Sequence, residues 1–220
     1  MFNQQSNQLD QEIHLRRIYR WIVLDILTMY LVGAFLYADP FHFWSHALSE
    51  IGTTKTLLGT PNMPSALIVM SGMFVAARML LKAARIYLRN NIYPNQYRKA
   101  GLLYIASLGA FISISPNDLF HLIHTIGSAL LIGSVFLITL LMVWECREII
   151  DPRMAYSIMS SLGITILAYT VTYFSDLEIK QAPQKLCLAN LLIVLYQRSR
   201  ISPYLETLIH SEIHMGLNNT

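Results

Sequence analysis

The chain of 220 residues carries few charges, since Asp, Glu, Lys and Arg together make up 13% of it and the formal net charge is +3. A typical soluble domain has about 25% charged residues. Hydrophobic residues make up 54% of the chain, and there are only two cysteines. This composition excludes a disordered chain, a disulfide scaffold and an ordinary cytosolic enzyme, and it argues against a nucleic-acid partner. It predicts an integral membrane protein.

Apolar runs long enough to cross a bilayer predict an all-α, polytopic membrane bundle. A spanning helix needs about 20 mostly apolar residues. Five runs fit, and a sixth, shorter run can cross by tilting or by thinning the bilayer locally. The predicted spans are 18–37, 64–86, 99–113, 119–144, 154–174 and 183–196. They divide the chain into an N-terminal segment 1–17, a six-span membrane domain 18–201 and a C-terminal tail 202–220.

Positive charges predict the orientation of these six transmembrane helices. Cytoplasmic loops are rich in Lys and Arg. If the N-terminus is inside, 13 of the 16 Lys and Arg residues fall on the inner side, and only Lys55, Lys180 and Lys185 fall outside. This distribution predicts that both termini are cytoplasmic. The basic inner loop 87–98 is expected to lie on anionic headgroups.

The first outer loop, 38–63, contains a pattern typical of a helix that lies on the membrane surface. Asp39-Pro40 resembles a helix start, because Asp caps free amides and Pro fits the first turn. Apolar residues then recur on one face of a helix over 40–51, namely Phe41, Trp44, Leu48 and Ile51. His42, His46 and Glu50 fall on another face, next to Ser49. This polar face is either a solvated surface that tolerates histidines or the floor of a site.

The start of the fourth span has polar residues on one helical stripe. Asn117, His121, His124 and Ser128 are spaced by four, three and four residues. At 1.5 Å per residue, His124 lies about 10 Å below Asn117. Polar groups at such depth usually face protein or a water-filled cavity. His124 therefore either bonds a neighbouring span or lines an extracytoplasmic pocket, and Asp118 is either a capping-box acid or a site residue.

The two histidine pairs lie on the same predicted side of the membrane and suggest zinc. His42, His46, His121 and His124 could act as ligands, with Glu50 or Asp118 as general base of a hydrolytic site. No HExxH motif or cysteine pair supports this reading. Haem is a weaker alternative, because the remaining histidines are cytoplasmic. A serine nucleophile lacks its Gly-x-Ser-x-Gly turn.

Two charges lie at similar depth in the first two predicted spans. Asp25 and Arg78 are each about 10–12 Å from the inner end of their span. An isolated charge at that depth costs about 2.5–3.5 kcal/mol or more. The sequence therefore predicts a buried Asp25–Arg78 ion pair that fixes helix packing, with a proton or ion pathway as the alternative.

Short motifs resemble those of an uncharacterised six-helix integral membrane family. They are SHALSEIG at 45–52, Pro61-Asn62, Ser115-Pro116-Asn117-Asp118 followed by a histidine, and Tyr196-Gln197-Arg198. That family is distantly similar to the DRAM autophagy modulators and to GPI-anchor lipid remodelling proteins. The resemblance covers about residues 18–201 and implies a six-span bundle with a polar extracytoplasmic site around His46, Ser49, Glu50 and His124. A weaker similarity is to seven-helix zinc amidases such as alkaline ceramidases, whose seventh span and late His-x-x-x-His motif this chain lacks.

These observations predict a multi-pass protein, of a bacterial inner membrane, with an outward polar pocket. Its residues are His46, Ser49, Asn117, His124 and Ser128. The pocket is expected to bind, hydrolyse or remodel a lipid or other amphiphile. The alternatives are a proton-coupled transporter and a non-catalytic scaffold. The sequence does not specify the substrate.

Overall fold

The computed structural model describes residues 2–89, 93–147, 150–175 and 181–199, with side chains from residue 9 onward except that of Arg198. Within these ranges the chain forms six α-helices and no extended strand, which confirms the all-α prediction. The helices are α1 Phe2–Phe35, α2 Met63–Arg89, α3 Gln96–Ile112, α4 His121–Glu145, α5 Pro152–Phe174 and α6 Gln181–Arg198. The predicted tail 202–220 lies outside the described residues.

Four of the helices are long and apolar enough to cross a membrane. They are residues Leu9–Phe35 of α1 and the whole of α2, α4 and α5. Their many exposed apolar side chains, such as Leu31 (71%), Ile164 (67%) and Phe174 (82%), have no counterpart on an ordinary soluble domain. These features support a membrane protein. Helix α1 begins at Phe2, so residues 2–17 form one helix with the first predicted span.

Small residues allow α2, α3 and α4 to pack closely. Buried alanines line the α2–α3 interface, and Gly109 of α3 faces Gly127 of α4. A Cβ added to Gly109 would lie 2.5 Å from the Leu131 nitrogen and 2.7 Å from the Gly127 oxygen. Only glycine fits this contact between two backbones, which is a common way for helices to associate in membranes.

The loop between α1 and α2 does not contain the predicted helix over 40–51. Its only regular element is the short 3₁₀-helix η1, Leu48–Gly52, which buries Leu48 and Ile51. The helix does not start at Asp39, because that carboxylate accepts hydrogen bonds from the Thr56 and Thr60 hydroxyls. The prediction of an interfacial helix is therefore corrected to a folded loop with one 3₁₀ turn.

The buried ion pair joins different residues from those predicted. Asp25 and Arg78 are not paired, because Arg78 lies exposed on the outer face of α2 and one carboxylate oxygen of Asp25 has no hydrogen-bond partner. Matched depth does not fix which face of a helix a residue occupies. The structure instead pairs Lys99 of α3 with Glu145 of α4, at 1% and 6% side-chain exposure.

Candidate binding site

A chamber whose lining includes several polar side chains lies at the end of the bundle where η1 meets α4, α5 and α6. Its volume is about 670 Å³, within the range of small-molecule sites. Six predicted site residues line it, namely Ser49, Glu50, Asn117, His121, His124 and Ser128. Residues from η1 and α4, distant in sequence, thus converge on one cavity.

The two histidines of α4 have defined hydrogen bonds in this chamber. Nδ1 of His124 lies 2.8 Å from the backbone oxygen of Ser115. Because a carbonyl oxygen only accepts, Nδ1 carries the proton, and Nε2 of the neutral ring remains an acceptor. Nδ1 of His121 lies 2.9 Å from Oδ1 of Asn117 and donates to it in the same way. The polar groups predicted along α4 are thus held in fixed orientations.

Two oxygens on the chamber lining have no hydrogen-bond partner among the described residues. Oε2 of Glu50 and Oε1 of Gln181 are buried and accept no hydrogen bond from the described residues. Among the residues that the structure places, no lysine or arginine lines the chamber. Nζ of Lys185 is close enough to Glu50 for a favourable charge interaction, but its short hydrogen bond, of 2.6 Å, goes to the backbone oxygen of His46. The chamber therefore has acceptors that are available to a ligand.

A second, apolar cavity adjoins the chamber and extends towards the middle of the bundle. Its volume is about 110 Å³, and it shares Ser49, His124 and Ser128 with the chamber lining. Towards the other end it is lined by Tyr19 of α1 and Leu195 of α6. From Gln184, where the cavity begins on α6, to Leu195 is eleven residues, or about 16 Å of helix. The chamber thus borders an elongated apolar cavity and shares part of its wall.

The chamber also opens on its flank, between α4 and α5. The lining residues Ala129, Thr170 and Phe174 are exposed on the outer surface of the bundle. Helix α5 is loosely packed, since its only buried residues are Ala155, Leu162 and Thr172. The chamber is therefore accessible from the surface of the bundle between α4 and α5.

His42 and His46 do not join the other two histidines. The His46 ring lies 5.2 Å from the Phe41 ring, and its Nδ1 is 3.1 Å from backbone atoms of His42. Neither histidine lines the chamber. Within the described parts of the chain, no three His, Cys, Asp or Glu side chains are placed to hold a metal ion. The predicted zinc site of His42, His46, His121 and His124 is therefore not formed, because a tight local turn holds His46 against His42.

Asp118 fastens the outer loop rather than lining the chamber. Its carboxylate accepts hydrogen bonds from the Thr54 hydroxyl, the Thr54 nitrogen at 3.0 Å and the Lys55 nitrogen at 3.2 Å. Partial burial raises the pKa of Asp118, but these hydrogen bonds outweigh burial and hold the pKa below its usual value. The carboxylate thus acts as a hydrogen-bond acceptor for the loop, and α4 starts later than predicted, at His121.

Sequence reasoning missed the residues of α5 and α6 that complete the site. Tyr169 and Gln184 line both the chamber and the apolar cavity. Oε1 of Gln184 also accepts from the Leu48 nitrogen at 3.1 Å, which ties α6 to η1. The available signal was that Gln181, Gln184 and Lys185 are polar residues at the start of an otherwise apolar segment.

The arrangement places hydrogen-bond acceptors in a chamber above an apolar cavity, which is suited to a molecule with one polar end. Glu50 and Gln181 would meet donors of that end, and the cavity would receive an alkyl chain. Comparison of the chain with protein-family models, curated proteins and solved structures finds no match.

Proposed function

We propose that this protein is a multi-pass membrane protein that binds a single-chain amphiphile, with the polar end in the chamber and the alkyl chain in the apolar cavity. One observation carries the proposal, namely that the two cavities share Ser49, His124 and Ser128. Apolar walls with a few convergent polar groups are typical of small-molecule sites. The composition of the chain supports a ligand drawn from the membrane.

The polar end of this ligand carries hydrogen-bond donors, either hydroxyl or ammonium groups. The unpartnered oxygens of Glu50 and Gln181 support this class, because a buried acceptor without a donor is unfavourable by about 1–3 kcal/mol. The chamber lining offers no lysine or arginine, in the part of the chain that the structure describes, to hold a carboxylate or phosphate. An alkyl amine or alcohol fits better than a fatty acid.

We expect the purified full-length chain to retain dodecylamine about tenfold better than dodecanoate, as measured by native mass spectrometry from a non-ionic detergent. A charge-assisted hydrogen bond to Glu50 accounts for a preference of this size. Glu50→Gln should remove most of it. Val135→Phe, which narrows the apolar cavity, should reduce retention of both ligands.

The matched control is Val171→Phe, at an exposed position of α5 outside both cavities. It should bind as the unmodified chain does. Octylamine, whose chain is shorter, should be retained less than dodecylamine by the unmodified chain, independently of any substitution. Equal retention of dodecylamine and dodecanoate, unaffected by Glu50→Gln, would contradict the proposed ligand class.

We also propose that all six helices span the membrane, with both termini in the cytoplasm of a bacterial cell. The location of 13 of the 16 positive charges supports this topology. Helices α3 and α6, of 17 and 18 residues, are short for a bilayer and would need tilt or local thinning. Reporters inserted in the loop 87–98 and fused after Thr220 should both read cytoplasmic. A C-terminal reporter on the outer side would remove the sixth span.

A further inference from the structure

A second, basic groove lies on the outer face of α2, against the first part of α1. Four cations line it at intervals of four, three and four residues, namely Arg78, Lys82, Arg85 and Arg89. This spacing places them on one stripe of the helix. All four are exposed. We call this surface the α2 basic groove, and its four cations form one continuous positive stripe along the helix.

The walls of this groove are partly apolar. Phe74 and Val75, which are 46% and 44% exposed, lie at the end of the groove nearest the middle of α2. Gln11 and His14 of α1 form the opposite wall, and the groove has a volume of about 930 Å³. It shares no lining residue with the chamber or the apolar cavity. A molecule bound here would meet cations at one end and exposed apolar surface at the other.

The cations of the groove have no anionic partner in the described structure. None of the four makes an ion pair or a side-chain hydrogen bond with a described residue, whereas Lys99 is paired with Glu145. Arg78 lies eleven residues from the end of α2, which corresponds to about 16 Å of helix. A charge so far into a candidate membrane span is unfavourable unless it is paired or reaches the interface. Charge complementarity therefore points to an anion that the described residues do not supply.

We propose that the α2 basic groove binds an anionic phospholipid. Lys82 and Arg85, in the middle of the stripe, hold the phosphate, since guanidinium groups form paired hydrogen bonds with phosphate oxygens. The acyl chains lie along Phe74 and Val75. A lipid fits better than a soluble polyanion because the groove lies on a candidate membrane span and ends in apolar surface. Basic pockets between membrane helices are known to bind anionic headgroups.

The test uses the full chain in a non-ionic detergent, with phosphatidylglycerol or phosphatidylcholine of identical acyl chains added to the micelles. Phosphatidylglycerol should raise the apparent Tm by about 5 °C more than phosphatidylcholine does. The double variant Lys82→Gln/Arg85→Gln should lose most of this difference. Its Tm in phosphatidylcholine alone reports whether it is folded.

The matched control is Arg98→Gln/Arg153→Gln, which removes two exposed cations outside the groove. It should keep the full phosphatidylglycerol effect. Glycerol phosphate without acyl chains should produce no shift. Equal effects of the two lipids, an equal loss in the control variant, or a full shift with glycerol phosphate would each overturn the proposal.

Discussion

Replacing Lys99 by alanine should lower the free energy of unfolding by about 3–5 kcal/mol, because it leaves the Glu145 carboxylate buried without its partner. Both side chains are almost inaccessible, at 1% and 6% exposure. The ammonium of Lys99 also lies 5.3 Å from the ring centroid of Tyr87, which adds a cation–π contact. For a chain of this size, the expected fall in Tm is roughly 10 °C, measured by thermal unfolding in detergent.

Two further variants test whether the destabilisation comes from loss of the ion pair or from substitution in general. Arg153→Ala removes an exposed cation and should change the free energy of unfolding by less than about 0.5 kcal/mol. Lys99→Met/Glu145→Gln removes both charges and should recover part of the loss, since no buried charge then lacks a partner. Additive losses in the double variant would show that the two residues contribute independently.

Replacing Asn62 by alanine should lower the free energy of unfolding by about 2–4 kcal/mol, because the Thr53 oxygen and the Ala38 nitrogen would lose their partner. Asn62 is completely buried. Its Nδ2 donates to the backbone oxygens of Thr53 and Ile51, at 3.0 and 3.4 Å, and its Oδ1 accepts from the Ala38 nitrogen at 3.1 Å. One side chain thus joins both ends of the outer loop. Hydrogen exchange of the loop amides should increase together with the fall in Tm.

Asn190→Ala is the control for this substitution. Asn190 donates only to the hydroxyls of Ser161 and Thr165, which can rotate towards other acceptors. Its loss should therefore be about 1 kcal/mol or less. If Asn62→Ala were no more destabilising than Asn190→Ala, and the loop amides exchanged at an unchanged rate, the loop would be held by other contacts.

The helices of the bundle could be predicted because a membrane leaves the backbone few alternatives. A segment in lipid must satisfy its own N–H and C=O groups, so an apolar run becomes a helix. Predicted span 154–174 is close to the observed α5, Pro152–Phe174. The six α-helices of the described residues agree with this physics, whereas the number of helices that cross the membrane and the family resemblance stay predictions.

The outer loop could not be predicted from its local pattern. Asp39 precedes a proline and a helix-like spacing of apolar residues, but its carboxylate binds Thr56 and Thr60. These partners are 17 and 21 residues further along the chain. A pattern of neighbouring residues contains no information about such contacts, so it predicts a helix where the chain forms a folded loop.

Site residues that lie on one face of a single helix could be predicted. Site residues whose position depends on how several helices pack together could not. The stripe of His121, His124 and Ser128 follows from the helical repeat alone, and it lines the chamber. The contribution of Tyr169 and Gln184 depends on how α5 and α6 are rotated about their axes, which spacing within a helix does not specify. For the same reason, similar depth in two spans predicts a pair of Asp25 and Arg78, whereas Lys99 and Glu145 form the pair.

The flank opening between α4 and α5 changes how any ligand of the chamber would exchange. The loop above the chamber is tied down by Asp118 to the start of α4 and by Gln184 and Lys185 to α6. Exchange through the exposed gap at Ala129 and Phe174 needs none of these bonds to break. A ligand would then diffuse in from the surrounding bilayer without first dissolving in water. Occupancy would follow the mole fraction of ligand in the membrane, so diluting the aqueous phase at a constant lipid-to-ligand ratio should leave it unchanged.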